Sequence, residues 1–252
     1  MGMDSLPVVS YVMAIRNEVT RNVDWLKRSI DSILNQDYAG VIELVVVDDC
    51  STDKTYEWVE GYRKGLGLSG SRVFKSYRLK GRLGPYGAAN FGMGVSTGIY
   101  IARQDGDDWS ELGRTTKQVN YLNSNESVVL VSSRFRVYNE ATGEFGDGWA
   151  VGGRFLEDAD FLKNGSPLCH CTIMFRRSLL PILVGYNTTY FYSSDYDFIW
   201  RSHCLGKVWV LDDVLYNYRV HRNRITSVEW RKQSMYANMI KNKILRKIRK
   251  TE

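Results

Sequence analysis

Three apolar runs, each closing on charged or amide residues, constrain this chain more than anything else in it. They are "VVSYVMAI" (8–15), "VIELVVVDD" (41–49) and "YIARQD" (100–105). Short apolar, β-branched runs of this kind read as strands buried on both faces. Helical stretches lie between them. In "NVDWLKRSIDSILNQ" (22–36), Leu26, Ile30, Ile33 and Leu34 share one face and Asn22 is the expected N-cap. "STDKTYEWVEGYRKG" (51–65) is expected to start at a Ser51 or Thr52 cap and close near Gly65. The small-residue stretch 84–98 reads as a third helix. The order strand, helix, strand, helix, helix, strand predicts an α/β fold, with a mostly parallel, Rossmann-like central sheet flanked by helices. Ligands of such sheets bind beyond the carboxyl ends of the strands. Those ends carry Arg16, Asn17 and Glu18, then Asp48 and Asp49, then Asp105, Asp107 and Asp108.

The second half changes pattern. A helix is expected at 114–125, strands at 127–139 and 171–177, a short helix at 196–206 and β-rich chain at 207–221. No linker separates the halves. We expect one domain over 1–228, with a donor half at about 8–113 and an acceptor half, of smaller mixed β character, at about 114–228. Residues 229–252 follow as a basic helical tail. That tail holds eight basic and two acidic residues, so the chain's net charge of +6 resides there and the body is neutral. A nucleic-acid-binding body is thereby disfavoured, and no nucleic acid partner is expected. Four cysteines without paired spacing argue against zinc and for free thiols in an intracellular chain. No basic leader with an apolar core and no run of about 20 apolar residues is visible, so a cytoplasmic protein is expected.

Asp105, Asp107 and Asp108 offer hard oxygen ligands to Mn²⁺ or Mg²⁺, of the kind completed by substrate phosphates. A solvated acidic turn is the plainer reading of the triplet alone. Context decides between them, because four segments occur in the order found in one family. They are "VSYVMAIRNE", "ELVVVDDCSTDKT", "YGAANFGMGVSTGIYIARQDGDDW" and "FYSSDYDFIWR", with "LYNYRVH" as a weaker fifth. Together they span about residues 8–228 and resemble the inverting family 2 glycosyltransferases of GT-A fold.

The resemblance implies a donor site of Ala14, Arg16, Glu18, Asp49, Asn90, Arg103 and Asp105 for a nucleotide-diphosphate sugar. Asp49 would accept a hydrogen bond from the base, and Asp105 would lie near the ribose or the metal. Asp107, with Asp105 and His221, would hold the metal; Asp108 is left without a role. Asp195 would be the catalytic base, taking the proton of the attacking acceptor hydroxyl. His170, Asp197 and Trp109 would lie on the acceptor side; Trp109, Trp149 and Tyr192 offer sugar-stacking faces. Arg82 and Lys80 sit in the loop before the third helix, where a phosphate could meet them. The chain departs from the family at Arg16 (usually aromatic), Cys50 (usually Gly) and Ser194 (usually Glu).

The function implied is transfer of a hexosyl or deoxyhexosyl group to a hydroxyl of a glycan, glycolipid or glycoprotein precursor. A non-catalytic nucleotide- or sugar-binding module is the alternative. A phosphatase with an Asp-x-Asp nucleophile is disfavoured because Trp109 follows Asp108 on a late strand, and a nicotinamide enzyme because "GAANFGMG" lacks the required glycine spacing. The tail alternates Met235, Met239, Ile244, Leu245 and Ile248 with basic residues. It therefore reads either as an amphipathic helix on an anionic membrane through 235–250, suited to a lipid-linked acceptor, or as a helix packed on the domain.

Overall fold

The computed structural model describes residues 6–163, 165–222 and 230–249. The chain runs β1 (Val9–Ile15), α1 (Glu18–Leu34), β2 (Ile42–Asp48), α2 (Thr55–Gly65), β3 (Arg72–Arg78), α3 (Gly84–Val95), β4 (Tyr100–Arg103) and β5 (Trp109–Ser110). It continues through α4 (Arg114–Ser124), β6 (Val128–Asn139), β7 (Phe145–Asp147), β8 (Arg154–Phe155), β9 (Met174–Arg176), α5 (Leu180–Leu183) and α6 (Ser194–His203). Strand β10 (Lys207–Val220) and helix α7 (Trp230–Ile248) close the described chain.

Among the described residues one sheet holds ten strands, in the order β3-β2-β1-β4-β9-β6-β10-β5, with β7 on β6 and β8 on β10. The first half, β3-β2-β1-β4, is wholly parallel; β6 and β10 share its direction, while β9, β5, β7 and β8 oppose it. The sheet is thus mostly parallel with a mixed second half, as expected. From β1 the chain moves outward to β2 and β3, then returns to lay β4 on the other side of β1. That reversal opens a crevice at the carboxyl ends of β1 and β4, onto which Glu18, Asp49, Asp105 and Asp107 open, while Asp48 at the end of β2 stays buried. Gly98 permits the return. A Cβ there would lie 2.7 Å from both Ser10 N and Val8 O.

Three local expectations change. Strand β3 was not expected, because only Phe74 of "RVFKSYR" is buried; it is an edge strand, and its polar residues mask the usual signal. Asn22 interrupts α1 with extended φ and ψ, and its Oδ1 accepts the Asp24 amide at 3.0 Å, capping the second segment inside a longer helix. Ser51 and Thr52 do not cap α2. Ser51 pairs with Asp48, Thr52 with Asn17, and Asp53 Oδ1 accepts the Thr55 amide at 3.0 Å.

Two large apolar clusters fill the two faces of the sheet. Leu26, Ile30 and Ile33 of α1 pack on one face with the residues of β1 and β2. The other face carries Phe161, Phe198, Trp200 and, from α7, Ile240 and Ile244. Each fully buried aliphatic side chain contributes roughly 1.5–3 kcal/mol. The tail helix is therefore packed on the same core as the body; residues 229 and 250–252 lie outside the described residues. All four cysteines are free. Among the described residues no helix is long and apolar enough to cross a membrane.

Candidate active site

A cleft of about 1020 Å³ opens at the crevice. Its walls hold Ala14, Arg16, Glu18, Asp49, Arg103, Asp105 and Asp107 from the first half of the chain and His170 and Asp195 from the second. Local folding places each of them. Cys50, following Asp49, has φ 55°, a left-handed conformation that favours glycine. This turn aims Asp49 at the start of α3, where its Oδ1 accepts the Leu83 amide at 2.6 Å and its Oδ2 the Gly84 amide at 2.9 Å. Asp49 thus anchors the loop that puts Arg82 on the cleft wall; Lys80 is not on that wall.

Three of the expected donor residues each keep one buried polar atom without a partner: Arg16 Nε, Glu18 Oε2 and Arg103 Nε. Buried polar atoms in native proteins are nearly always paired, so such orphans on a cleft wall mark groups available to a ligand. The other Glu18 oxygen accepts from Arg21 Nη1 at 2.7 Å. Burial pushes the Glu18 carboxyl up to about 7; Arg21 opposes the shift and Asp107 adds to it. Arg103 donates to Val12 O at 2.7 Å and lies 3.5 Å from Asp105 Oδ1.

The three aspartates after β4 have separate surroundings. Asp108 is an internal anchor: its Oδ2 accepts from the Tyr216 hydroxyl at 3.0 Å and its Oδ1 from the Arg219 amide at 2.7 Å. These bonds tie the loop to β10. Asp107 Oδ2 lies 2.9 Å from His221 Nε2, and the His221 ring packs on Trp25. Asp105 Oδ2 accepts from the Cys171 thiol at 2.7 Å. Beneath the loop lies fully buried Arg114, which donates to Gln104 Oε1 at 3.1 Å and to the carbonyls of Arg103 and Cys171 at 2.9 Å.

The donor set can be tested against a divalent metal. Cis ligands of an octahedral ion with 2.0–2.1 Å bonds lie about 3 Å apart. The Asp107–His221 pair has that separation; the carboxylate suits Mn²⁺ or Mg²⁺, whereas the imidazole nitrogen favours Mn²⁺ over the harder, oxygen-preferring Mg²⁺. Asp105, Asp108 and Cys171 also bring ligand atoms within 4.8 Å of one another. That second grouping fits less well. Both Asp108 oxygens are engaged, and the Cys171 sulfur is a soft ligand ill matched to Mn²⁺ or Mg²⁺.

On the opposite side, Asp195 is held at the first turn of α6 and receives a hydrogen bond from the Tyr86 hydroxyl at 3.0 Å. Burial raises the Asp195 pKa, and nearby Asp105 adds to this, while the Tyr86 bond lowers it. Tyr86 was not singled out in the sequence; a tyrosine beside Pro85 in a small-residue helix carries no catalytic signal. Ser194 does not support Asp195: its hydroxyl donates to the Asn187 and Tyr190 carbonyls. His170 lines the cleft with Nε2 2.6 Å from the Tyr186 hydroxyl, and burial, with Arg103 nearby, holds its pKa well down.

Three expected site residues belong elsewhere. Asn90 clamps the Tyr186 backbone, donating to its carbonyl at 2.9 Å and accepting its amide at 2.7 Å. Asp197 is buried under α6, accepting from Arg201 Nε at 2.6 Å with Lys243 of α7 at 3.6 Å. Trp109 is a packing residue, sandwiched by Arg28 and Arg219. None of the three is on the cleft wall, and neither is His221, which reaches the cleft only through its contact with Asp107; Trp149 and Tyr192 do line it.

Against this geometry the comparisons are specific. The profile of glycosyl transferase family 2 matches residues 10–182, and the chain belongs to that family. The protein named glycosyltransferase EpsE in Bacillus subtilis (strain 168) is 36% identical over 194 residues, which are 74% of this chain and 62% of that protein. The O-antigen biosynthesis glycosyltransferase WbnJ of Escherichia coli is 29% identical over 237 residues, covering 88% and 83%. The structure of S. aureus TarS residues 1–349 with UDP-GlcNAc superposes with a TM-score of 0.69 at 19% identity, covering 87% of this chain and 60% of that one. The fold is therefore the GT-A fold. The chain spans about three fifths of EpsE and of that TarS chain. Asp195 and α7 lie beyond the family-matched stretch.

Proposed function

We propose that this protein transfers a hexosyl or deoxyhexosyl group from a nucleotide-diphosphate sugar to a hydroxyl acceptor, with inversion at the anomeric carbon. The observation that carries the reading is one cleft with two unlike walls. Orphaned polar atoms of Arg16, Glu18 and Arg103 lie with Asp105 and Asp107 on one wall; Asp195, its pKa raised, faces the same space from the other half.

In this reading Arg16, Glu18 and Arg103 hold the nucleotide end of the donor. Asp107, with His221 and Asp105, would hold Mn²⁺ or Mg²⁺, which when bound offsets the diphosphate charge as the leaving group departs. Asp195 takes the proton from the acceptor hydroxyl as its oxygen forms the new bond to C1 and the C1–phosphate bond breaks. A base on one side of C1 and a leaving group on the other give inversion in one displacement. A raised pKa makes this carboxylate a stronger base than a solvated one. TarS is solved with UDP and with UDP-GlcNAc, which supports a uridine-diphosphate sugar as the first donor to try.

The acceptor would be a glycan or a lipid-linked precursor. For contact with an anionic membrane, α7 retains only the solvent-facing side that bears Met235 and Met239.

A thermal-shift screen of nucleotide sugars with and without Mn²⁺ tests the donor: a true donor raises Tm and the metal enlarges the rise. Asp195→Asn should keep that shift and lose transfer. Transfer at the unaltered rate by Asp195→Asn would reject the base assignment.

A further inference from the structure

Resting on the proposed function, we propose that α7 forms a wall of the acceptor subsite and that Lys241 selects acceptors carrying an anionic group. The sequence alone left α7 open to a membrane role. Its fully buried Ile240 and Ile244 are committed to the core of the body, so that part of the apolar stripe cannot also enter a bilayer.

The adjoining stripe of the same helix faces the cleft. Gln233, Ser234, Ala237, Asn238 and Lys241 all line it. At 3.6 residues per turn these five fall within an arc of about 140°. Met235 and Met239 lie outside that arc, half-exposed to solvent.

The helix is fastened where the acceptor would sit. The Ser193 hydroxyl donates to the Gln233 carbonyl at 3.0 Å, two residues before Asp195. Lys243 lies 3.6 Å from buried Asp197, two residues after it. Lys232 sits over the ring of Tyr192 on the same cleft wall.

Charge gives this wall its chemistry. Among the described residues no carboxylate lies within ion-pair distance of Lys241. Lys163, also on the wall, shares Asp160 with Arg154, so two cations stand on one carboxylate. Lys241 and Lys163 thus bring ammonium groups to the cleft wall that also holds the aromatic faces of Trp149 and Tyr192 and the Asp195 carboxylate. Such a site suits a sugar ring on the aromatics, its hydroxyl at Asp195 and a carboxylate or phosphate at Lys241. A charge-assisted contact of this kind is stronger than a neutral one and fixes the acceptor's orientation.

The experiment uses the full chain, the donor chosen by the screen, and three matched aryl glycoside acceptors: a neutral hexoside, the hexuronide and the hexoside 6-phosphate. The anionic acceptors should exceed the neutral one in kcat/KM by about tenfold, as a single charge-assisted contact allows. Lys241→Gln should collapse that ratio and Lys241→Arg should retain most of it, with donor Kd from calorimetry unmoved. The two acidic arms separate a carboxylate site from a phosphate site. An unchanged ratio in Lys241→Gln overturns the subsite, as does an equal loss of donor affinity. No transfer by the unaltered chain to any acceptor overturns the proposed function and the subsite together. Transfer that survives Asp195→Asn but loses its acidic preference in Lys241→Gln would reject the base and keep the subsite.

Discussion

Tyr86→Phe isolates what tunes the proposed base. It deletes one hydroxyl, 3.0 Å from Asp195 Oδ1, and leaves the ring that packs on His170 and Tyr186. A hydrogen bond to a charged group contributes about 1.5–3 kcal/mol. Asp195 is not fully enclosed, so solvent takes over part of the lost bond and the low end, about 1.5 kcal/mol, applies. At 1.36 kcal/mol per pKa unit this raises the carboxyl by about one unit. The direction adds to the shift that burial already imposes. A base works ionised, so activity falls as pH drops through its pKa. The acidic limb of kcat/KM should therefore move up by about one pH unit in Tyr86→Phe. Below both pKa values the variant should be about tenfold slower, and well above them the two should converge. An unmoved limb, or a loss equal at every pH, would refute the reasoning, since either would mean that Tyr86 does not act through the carboxylate.

Glu18 gives a stability test. Its folded pKa is raised from 4.5 to about 7, so its favourable contribution is complete below 4.5 and is lost as pH rises through about 7. Glu18→Gln should remove that dependence, gaining up to about 3 kcal/mol over the native chain between pH 5 and pH 8 in urea titrations with chelator; parallel curves for the two proteins would contradict the burial argument. Ile240→Ala should lower unfolding free energy by about 2–4 kcal/mol by opening a cavity in the core, whereas an unchanged midpoint would mean that α7 is not part of the folded body.

The legibility of this chain divides along a physical line. Strands β1, β2 and β4 were readable because parallel strands buried on both faces are locally apolar, and each carries its acids at its end. Strand β3 was hidden because an edge strand buries only Phe74. Asp105 and Asp107 were legible as strand-end acids because they directly follow β4, and both line the cleft. The division of labour among their neighbours was not legible. Asp108 is fixed by Arg219, 111 residues away, and Asp195 meets Tyr86 across 109 residues. Asn90, Asp197 and Trp109 are drawn off by Tyr186, Arg201 and Arg28, partners that no local spacing reveals.

The sequence by itself determined strands β1, β2 and β4 and the acids at their ends, because periodicity is a local property; the strand order, with its reversal beside β1, came from the tertiary structure. Only the tertiary structure decided which acids face the cleft and which are anchors. It also decided that α7 lays Ile240 and Ile244 on the core and a neighbouring stripe along the cleft. An amphipathic helix fixes that it has an apolar face, but not which surface covers it.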